Sequence, residues 1–303
     1  MKEIKVLYES NKTRLREQEE DQKIMPLSSF SNRRLINCNE NGYWTINTND
    51  RYGFNNPDKI WSENEIDVLI IGDSFAHGWC VNTKDSISGI FRDKFNKITL
   101  NLSQPANDPL LEYAALREYF PNKKKVKDIL MFYYEGNDLK GLHSSLKTKL
   151  LKKYLEDENF KQNLISKKEL IEKKLFSKLE EAKSNEIKNL RLKRNKYVSF
   201  LILTEIRSLI QKIVTKEKSN FIPNLDEFQK IISKINNFSE DKGIRFIFVY
   251  IPDVKRYIPE NNKRDYFYKE VMNIINDLKV KNVDLVYEFN KLNDPAKLYP
   301  YPF

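Results

Sequence analysis

The sequence predicts an α/β protein: a five-stranded, doubly wound parallel sheet interrupted by a helical insertion. Three observations carry that expectation. Val68-Leu-Ile-Ile71 is an unbroken apolar run of the kind a strand buried on both faces requires. A second apolar strand, Asp128–Tyr134, and a third, Ile244–Ile251, recur with helical periodicity between and around them. Glycine is absent between Gly141 and Gly243, where apolar pairs return at helical intervals.

Taken in order, residues 1–30 read as a charged helical arm and residues 31–65 as an irregular lead-in on the rim of the first strand, together the segment 1–65. Strand one is Asp67–Ile71, and the spacing of Ile87, Ile90, Phe91 and Phe95 predicts a helix after it. Strand two is Lys97–Leu102. Its helix starts at Pro109, a residue suited to a first helical position. Strand three, Asp128–Tyr134, completes the first half of the sheet domain, 66–139. Residues 140–238 read as a basic helical insertion or cap. The second half, 239–303, holds strand four (Ile244–Ile251), a helix over Tyr266–Lys279 and strand five (Val283–Phe289), with the expected final helix missing.

At 303 residues the chain is long enough to bury a full α/β core. The net charge of +10 is concentrated in one place: Lys140–Lys218 holds 21 Lys+Arg against 10 Asp+Glu. That excess suits a solvated helix face, or a weak contact with a polyanion or anionic surface. Few aromatics stand among those lysines, so specific nucleic-acid recognition is not expected. The amino terminus lacks the apolar core of a signal peptide, and Glu205 and Arg207 interrupt the most apolar window, Tyr197–Val214. No transmembrane segment and a cytoplasmic address are therefore expected. Cys38 and Cys80 can form one bridge, but two cysteines in a chain this size read as reduced thiols. Two histidines and two distant cysteines give no basis for a metal site, and no cofactor is expected.

The chemistry concentrates where strands end. Strand one stops at Gly72-Asp73-Ser74, which lifts a serine off the carboxyl edge where open α/β sheets hold ligands. Such a serine is a nucleophile if a base reaches it. Strand three closes in the same way with Gly136-Asn137-Asp138. These two blocks, each after a buried strand and about sixty residues apart, resemble the first and third blocks of the SGNH (GDSL-like) hydrolase superfamily. The resemblance covers residues 66–139 and 240–303.

It implies a serine esterase or O-acyltransferase working through an acyl-Ser74 intermediate. Ser74 matches the nucleophile, its N–H one oxyanion donor, and Asn137 the side-chain amide donor. Asp73 and Asp138 flank these as pocket residues. The family's second block carries a glycine whose N–H completes the oxyanion hole; here the text is Asn101-Leu-Ser-Gln-Pro-Ala-Asn-Asp-Pro109, and Ser103 is the nearest match. Asn107 either reaches the pocket or caps the helix before Pro109. Asp253, beyond strand four, either faces the cleft or makes a turn, and Glu135 either lines the pocket or is an ordinary strand-end residue.

One departure is larger. The family's base is a histidine three residues after an acid beyond strand five, but Asp294 is followed at that distance by Lys297, and no histidine occurs after His143. Either the sequence stops ahead of that histidine, which is the preferred account, or the protein lacks the usual base. His77, one helical turn beyond Ser74, reads as a pocket residue more readily than as the base; His143 is a weaker substitute. The expected partner is a small-molecule or carbohydrate ester, the sugar resting on the likeness of the Gly-Tyr-Trp and Tyr-Gly-Phe-Asn lead-in to bacterial carbohydrate-modifying members. The alternative is a catalytically inactive binding protein using the same cleft.

Overall fold

The computed structural model describes residues 24–40, 42–194, 221–258 and 266–299. The expected charged arm up to residue 23, and the window Tyr197–Val214, lie outside the described residues. Two compact units are present, Met1–Glu172 with Pro223–Phe303, and Lys173–Ile222.

The first unit opens with Ile24, Met25, Leu27 and Phe30 buried in non-helical chain, so this end of the expected arm is an apolar anchor. A small antiparallel hairpin follows, β1 (Arg34–Ile36) with β2 (Ile46–Thr48), in register Leu35↔Asn47. Its tip brings Cys38 to Cys80 with Cα atoms 5.3 Å apart, and the two are joined as a disulfide. That corrects the reading of reduced thiols: backbone pairing of Asn37 and Cys38 with Thr45, and the Thr45 hydroxyl donating to the Trp79 carbonyl at 3.0 Å, hold the hairpin against the loop that carries Cys80. The lead-in is thus ordered. Its Asn56 amide donates to the Asn101 carbonyl and accepts from the Asn101 N–H, both at 2.9 Å, satisfying a sheet edge as a strand would.

The main sheet begins with β3 (Glu65–Gly72), followed by the short helix α1 (Ser74–His77) and by α2 (Ile87–Asp93). Next come β4 (Thr99–Asn101), α3 (Pro109–Tyr119) and β5 (Lys125–Tyr134). Helices α4 (Asp138–Ser145), α5 (Lys149–Glu156) and α6 (Lys168–Arg194) lead out of the sheet; α7 (Leu225–Glu240) leads back to β6 (Arg245–Ile251). Helix α8 (Tyr268–Asp277), β7 (Lys281–Asp284) and α9 (Leu285–Phe289) close the described chain's regular structure. All five main-sheet strands are parallel, in spatial order β4-β3-β5-β6-β7. This is the 2-1-3-4-5 order of a doubly wound sheet, whose ligand edge lies at the carboxyl ends of its strands.

Alternation along the strands builds two core layers. Val68, Ile70, Leu130, Phe132, Val249 and Ile251 form one, covered by Ala76 of α1 and by Ile87, Phe91 and Leu285. On the other, Tyr133 meets Phe228 of α7 and Phe248 of β6 with ring centroids 5.5 and 5.6 Å apart. Phe228, Ile231, Ile232 and Ile235 are fully buried. Helix α7 is therefore a crossover helix of the sheet and does not belong to the insertion. The second compact unit, Lys173–Ile222, is narrower than the 140–238 boundaries read from the sequence.

Strand five also needs correction. It ends at Asp284, and Leu285–Phe289 is helix. The Asp284 carboxylate accepts from the Val286 and Tyr287 N–H groups at 2.9 and 3.3 Å, capping a helix inside a run of strand-favouring residues. Among the described residues no helix is long and apolar enough to cross a membrane.

Because the Cys38–Cys80 bridge spans 42 residues, a chain-entropy model assigns it about 4 kcal/mol of stabilisation. Cys38→Ser is expected to lower the unfolding free energy in urea by about 2–4 kcal/mol, with no free thiol alkylated in the parent protein. Two alkylated thiols in the folded parent would contradict the bridge.

Candidate active site

Three neighbouring strands, β4, β3 and β5, deliver the residues of interest to one edge. In β3–β5 pairing Gly72 stands opposite Phe132, so Ser74 and Gly136-Asn137 leave the sheet side by side. Gly72 is needed at this bend: a Cβ there would lie 2.5 Å from the Ala76 Cβ and 3.1 Å from Phe132. Asp73 is fully buried and caps α1, its carboxylate accepting from the Phe75 N–H at 2.8 Å and from the Ser74 hydroxyl at 3.4 Å. Ser74 itself is half-buried, at the first position of the helix.

Asn137 is exposed, and its side chain does not cap α4 although the residue occupies the cap position; its carbonyl takes the Gly141 N–H at 2.7 Å. The amide is thereby left outside the helix hydrogen bonding, at the strand end next to the one that carries Ser74. Asp138 plays a different part. Fully buried, it accepts from the Tyr134 N–H at 2.8 Å and ties the end of β5 to the first turn of α4. Burial holds its carboxyl well above the ordinary carboxylate range, and the charges of Asp73 and Glu112 push the same way. The contact Asp138 makes is with the backbone at the end of β5, one residue from Asn137.

The second block is arranged otherwise than expected. The Ser103 N–H donates to the Asn101 side-chain carbonyl at 2.9 Å, and its hydroxyl is completely buried. The left-handed conformation that would suit glycine falls instead on Ala106, φ 58°, in a turn closed by the Asn107 N–H on the Gln104 carbonyl at 3.1 Å. Pro105 precedes it, which is the sequence signal for such a turn. Asn107 is buried, and the cap of α3 is Asp108, which accepts from the Leu110 and Leu111 N–H groups at 3.1 and 3.4 Å.

Neither histidine hydrogen-bonds Ser74. His77 is 2% exposed, and its Nδ1 has no hydrogen-bond partner among the described residues. Burial alone pushes its pKa down to about 3, so the ring is neutral at ordinary pH and is packed near Trp79. His143 pairs through Nδ1 with the Asn224 side chain at 2.9 Å.

A buried network stands beside the Gly-Asn-Asp block. Glu135 accepts two hydrogen bonds from Arg256, through Nε at 2.8 Å and Nη2 at 2.5 Å. It also takes the Tyr250 hydroxyl at 2.8 Å and the Asp253 N–H at 2.7 Å. Asp253, 4% exposed, accepts in turn from the Tyr266 hydroxyl at 3.2 Å. Arg256 and Tyr250 were not singled out from the sequence, because only the parallel pairing of β5 with β6 brings them to Glu135. Arg256 also borders an open cleft of about 570 Å³ with Tyr268, Asp284 and Tyr287, which includes neither Ser74 nor Asn137. At the disulfide, Cys38, Cys80 and Glu40 bring three potential metal donors within 4.8 Å, but a formed bridge leaves no thiolate to ligate.

Comparison with known proteins adds little. No family model matches the chain, and no curated protein matches it. Among solved structures, a candidate lipolytic protein of the G-D-S-L family from Desulfitobacterium hafniense DCB-2 aligns with probability 1.00, TM-score 0.38 and 14% identity, covering 74% of this chain and 79% of that one. The functional reading therefore rests on the chain's own residues.

The buried His77 gives a pH prediction. The unfolded chain takes up a proton near pH 6.5, the folded one only near 3, so stability falls as pH drops through that window. The loss is about 2 kcal/mol between pH 7 and pH 5. His77→Gln is expected to flatten this part of the stability–pH curve relative to the parent; an unchanged slope would show that His77 protonates freely in the folded state.

Proposed function

We propose that the protein is an SGNH-like acyl-transfer protein, a serine esterase or O-acyltransferase in which Ser74 attacks an ester carbonyl. The observation that carries this reading is the pairing of a half-buried Ser74 with an exposed, uncommitted Asn137 amide at adjacent strand ends. Attack by the Ser74 hydroxyl, its proton passing towards the Asp73 carboxylate it donates to at 3.4 Å, forms the Oγ–C bond and places negative charge on the former carbonyl oxygen. A fixed neutral amide stabilises that charge without itself titrating, and loss of one such donor costs about two to three orders of magnitude in rate. The Ser74 N–H, free of intrahelical bonding as the first residue of α1, supplies a second donor. Ser103 does not add a third, since its N–H is taken by Asn101.

An acylated carbohydrate is the substrate class favoured by the lead-in resemblance, and the basic charge of residues 140–218 supports a weak contact with an anionic surface. The Cys38–Cys80 bridge supports an oxidising compartment over the cytoplasm.

A second reading, a binding protein with an uncoupled serine, is favoured by one observation: the Ser74 hydroxyl's partner is Asp73, and no histidine reaches it. Intact-mass labelling with a fluorophosphonate separates the two. Labelling of the parent and not of Ser74→Ala, slowed about a hundredfold or more in Asn137→Ala, is the expected result. A folded parent that stays unlabelled would mean that Ser74 is uncoupled in this sequence, the outcome the binding reading expects.

A further inference from the structure

Beside Ser74 stands an aromatic pair that the oxyanion geometry does not use. Phe75, the next residue, is 38% exposed, and its backbone is pinned by the Asp73 carboxylate. Its ring lies against Tyr134 with centroids 4.3 Å apart and planes tilted by 36°. Tyr134 in turn lies across Gly136: a Cβ on that glycine would sit 2.4 Å from Cε1 and 2.5 Å from Cζ of the ring. The glycine of the Gly-Asn-Asp block thus makes room for a ring, and the ring reaches from Asn137's neighbour to Ser74's neighbour.

Both ends of Tyr134 face a carboxylate. Its N–H donates to Asp138 at 2.8 Å, and its hydroxyl end faces the charge of Asp253, which accepts from Tyr266. Seated over Gly136, the ring turns a carbon face to Phe75. Among the described residues of the adjoining network, Arg256 is committed to Glu135 through two donors.

We propose that Phe75 and Tyr134 form the wall that receives the acyl group of the substrate, and that this group is apolar and uncharged. The inference rests on Ser74 as the attacking residue: an acyl carbon bonded to Ser74 Oγ lies one residue from Phe75, the exposed apolar side chain beside it. An apolar chain buries the exposed Phe75 surface, whereas a dicarboxylic acyl group places a second carboxylate against the carbon faces of two stacked rings.

Binding to the Ser74→Ala protein tests the wall without requiring chemistry. Calorimetric titration with octanoate and with succinate is expected to favour octanoate by about tenfold or more. Phe75→Ala in the same background is expected to remove about tenfold of the octanoate affinity. Gly136→Ala, which displaces the Tyr134 ring from the opposite side, is expected to lower it similarly; Phe75 is exposed enough for its variant to fold. Octanoate binding with these losses supports the wall even if fluorophosphonate labelling of Ser74 fails, so the two readings fail separately. Equal affinity for the two acids, or octanoate affinity unchanged in both variants, would overturn the proposal.

Discussion

Parallel pairing of β3 with β5 is the constraint on which the site depends. The register runs from Glu65↔Lys125 to Gly72↔Phe132, and every residue of interest is counted from its end. A slip of one residue would move Ser74 along the edge by about 3.3 Å and exchange the side chains of the two core layers. The cost of such a slip is large because Leu69, Ile70, Ile71, Ile129 and Met131 are all fully buried. Burying each such side chain is worth about 1.5–3 kcal/mol. Hydrophobic register in the middle of the sheet thus fixes polar geometry at its edge.

What was legible in the sequence follows the same division. Val68–Ile71 and Asp128–Tyr134 announce themselves because strands buried on both faces are continuous apolar runs, and the Gly-Asp-Ser and Gly-Asn-Asp blocks are local. Caps were less legible: the sequence offers Asn107 for the helix before Pro109, and the cap is its neighbour Asp108, because two adjacent residues of capping type share one local signal. The disulfide was not legible, since nothing within 42 residues of chain indicates that a hairpin folds Cys38 back on Cys80. Strand five was misread because Val283, Val286, Tyr287 and Phe289 favour strands, while one Asp284 cap decides for helix after four residues. Nor does the sequence reveal that Ser103 is turned inward: its N–H partner, Asn101, is two residues away and reads as an ordinary strand residue.

The electrostatics of the edge are lopsided. Asp73, Asp108, Glu112 and Asp138 are all fully buried behind the serine, and Glu135 lies beyond them with Arg256. Two devices make this tolerable: Asp73 and Asp108 are solvated by helix N–H groups, and burial raises the pKa of Asp138, favouring its uncharged form. Asp73, Asp138 and Glu135 thereby hold backbone next to strand ends and Asp108 the start of α3, and the more exposed positions are Ser74, Phe75 and Asn137. The site has a nucleophile, a neutral donor and an apolar wall, with its acids committed to structure.

A crystal structure of the protein after fluorophosphonate treatment tests the central claim most directly. The account predicts phosphorus bonded to Ser74 Oγ and a phosphoryl oxygen about 2.7–3.1 Å from the Asn137 amide nitrogen. An adduct on Ser74 whose oxygen points away from Asn137, or no adduct at that serine, would contradict it.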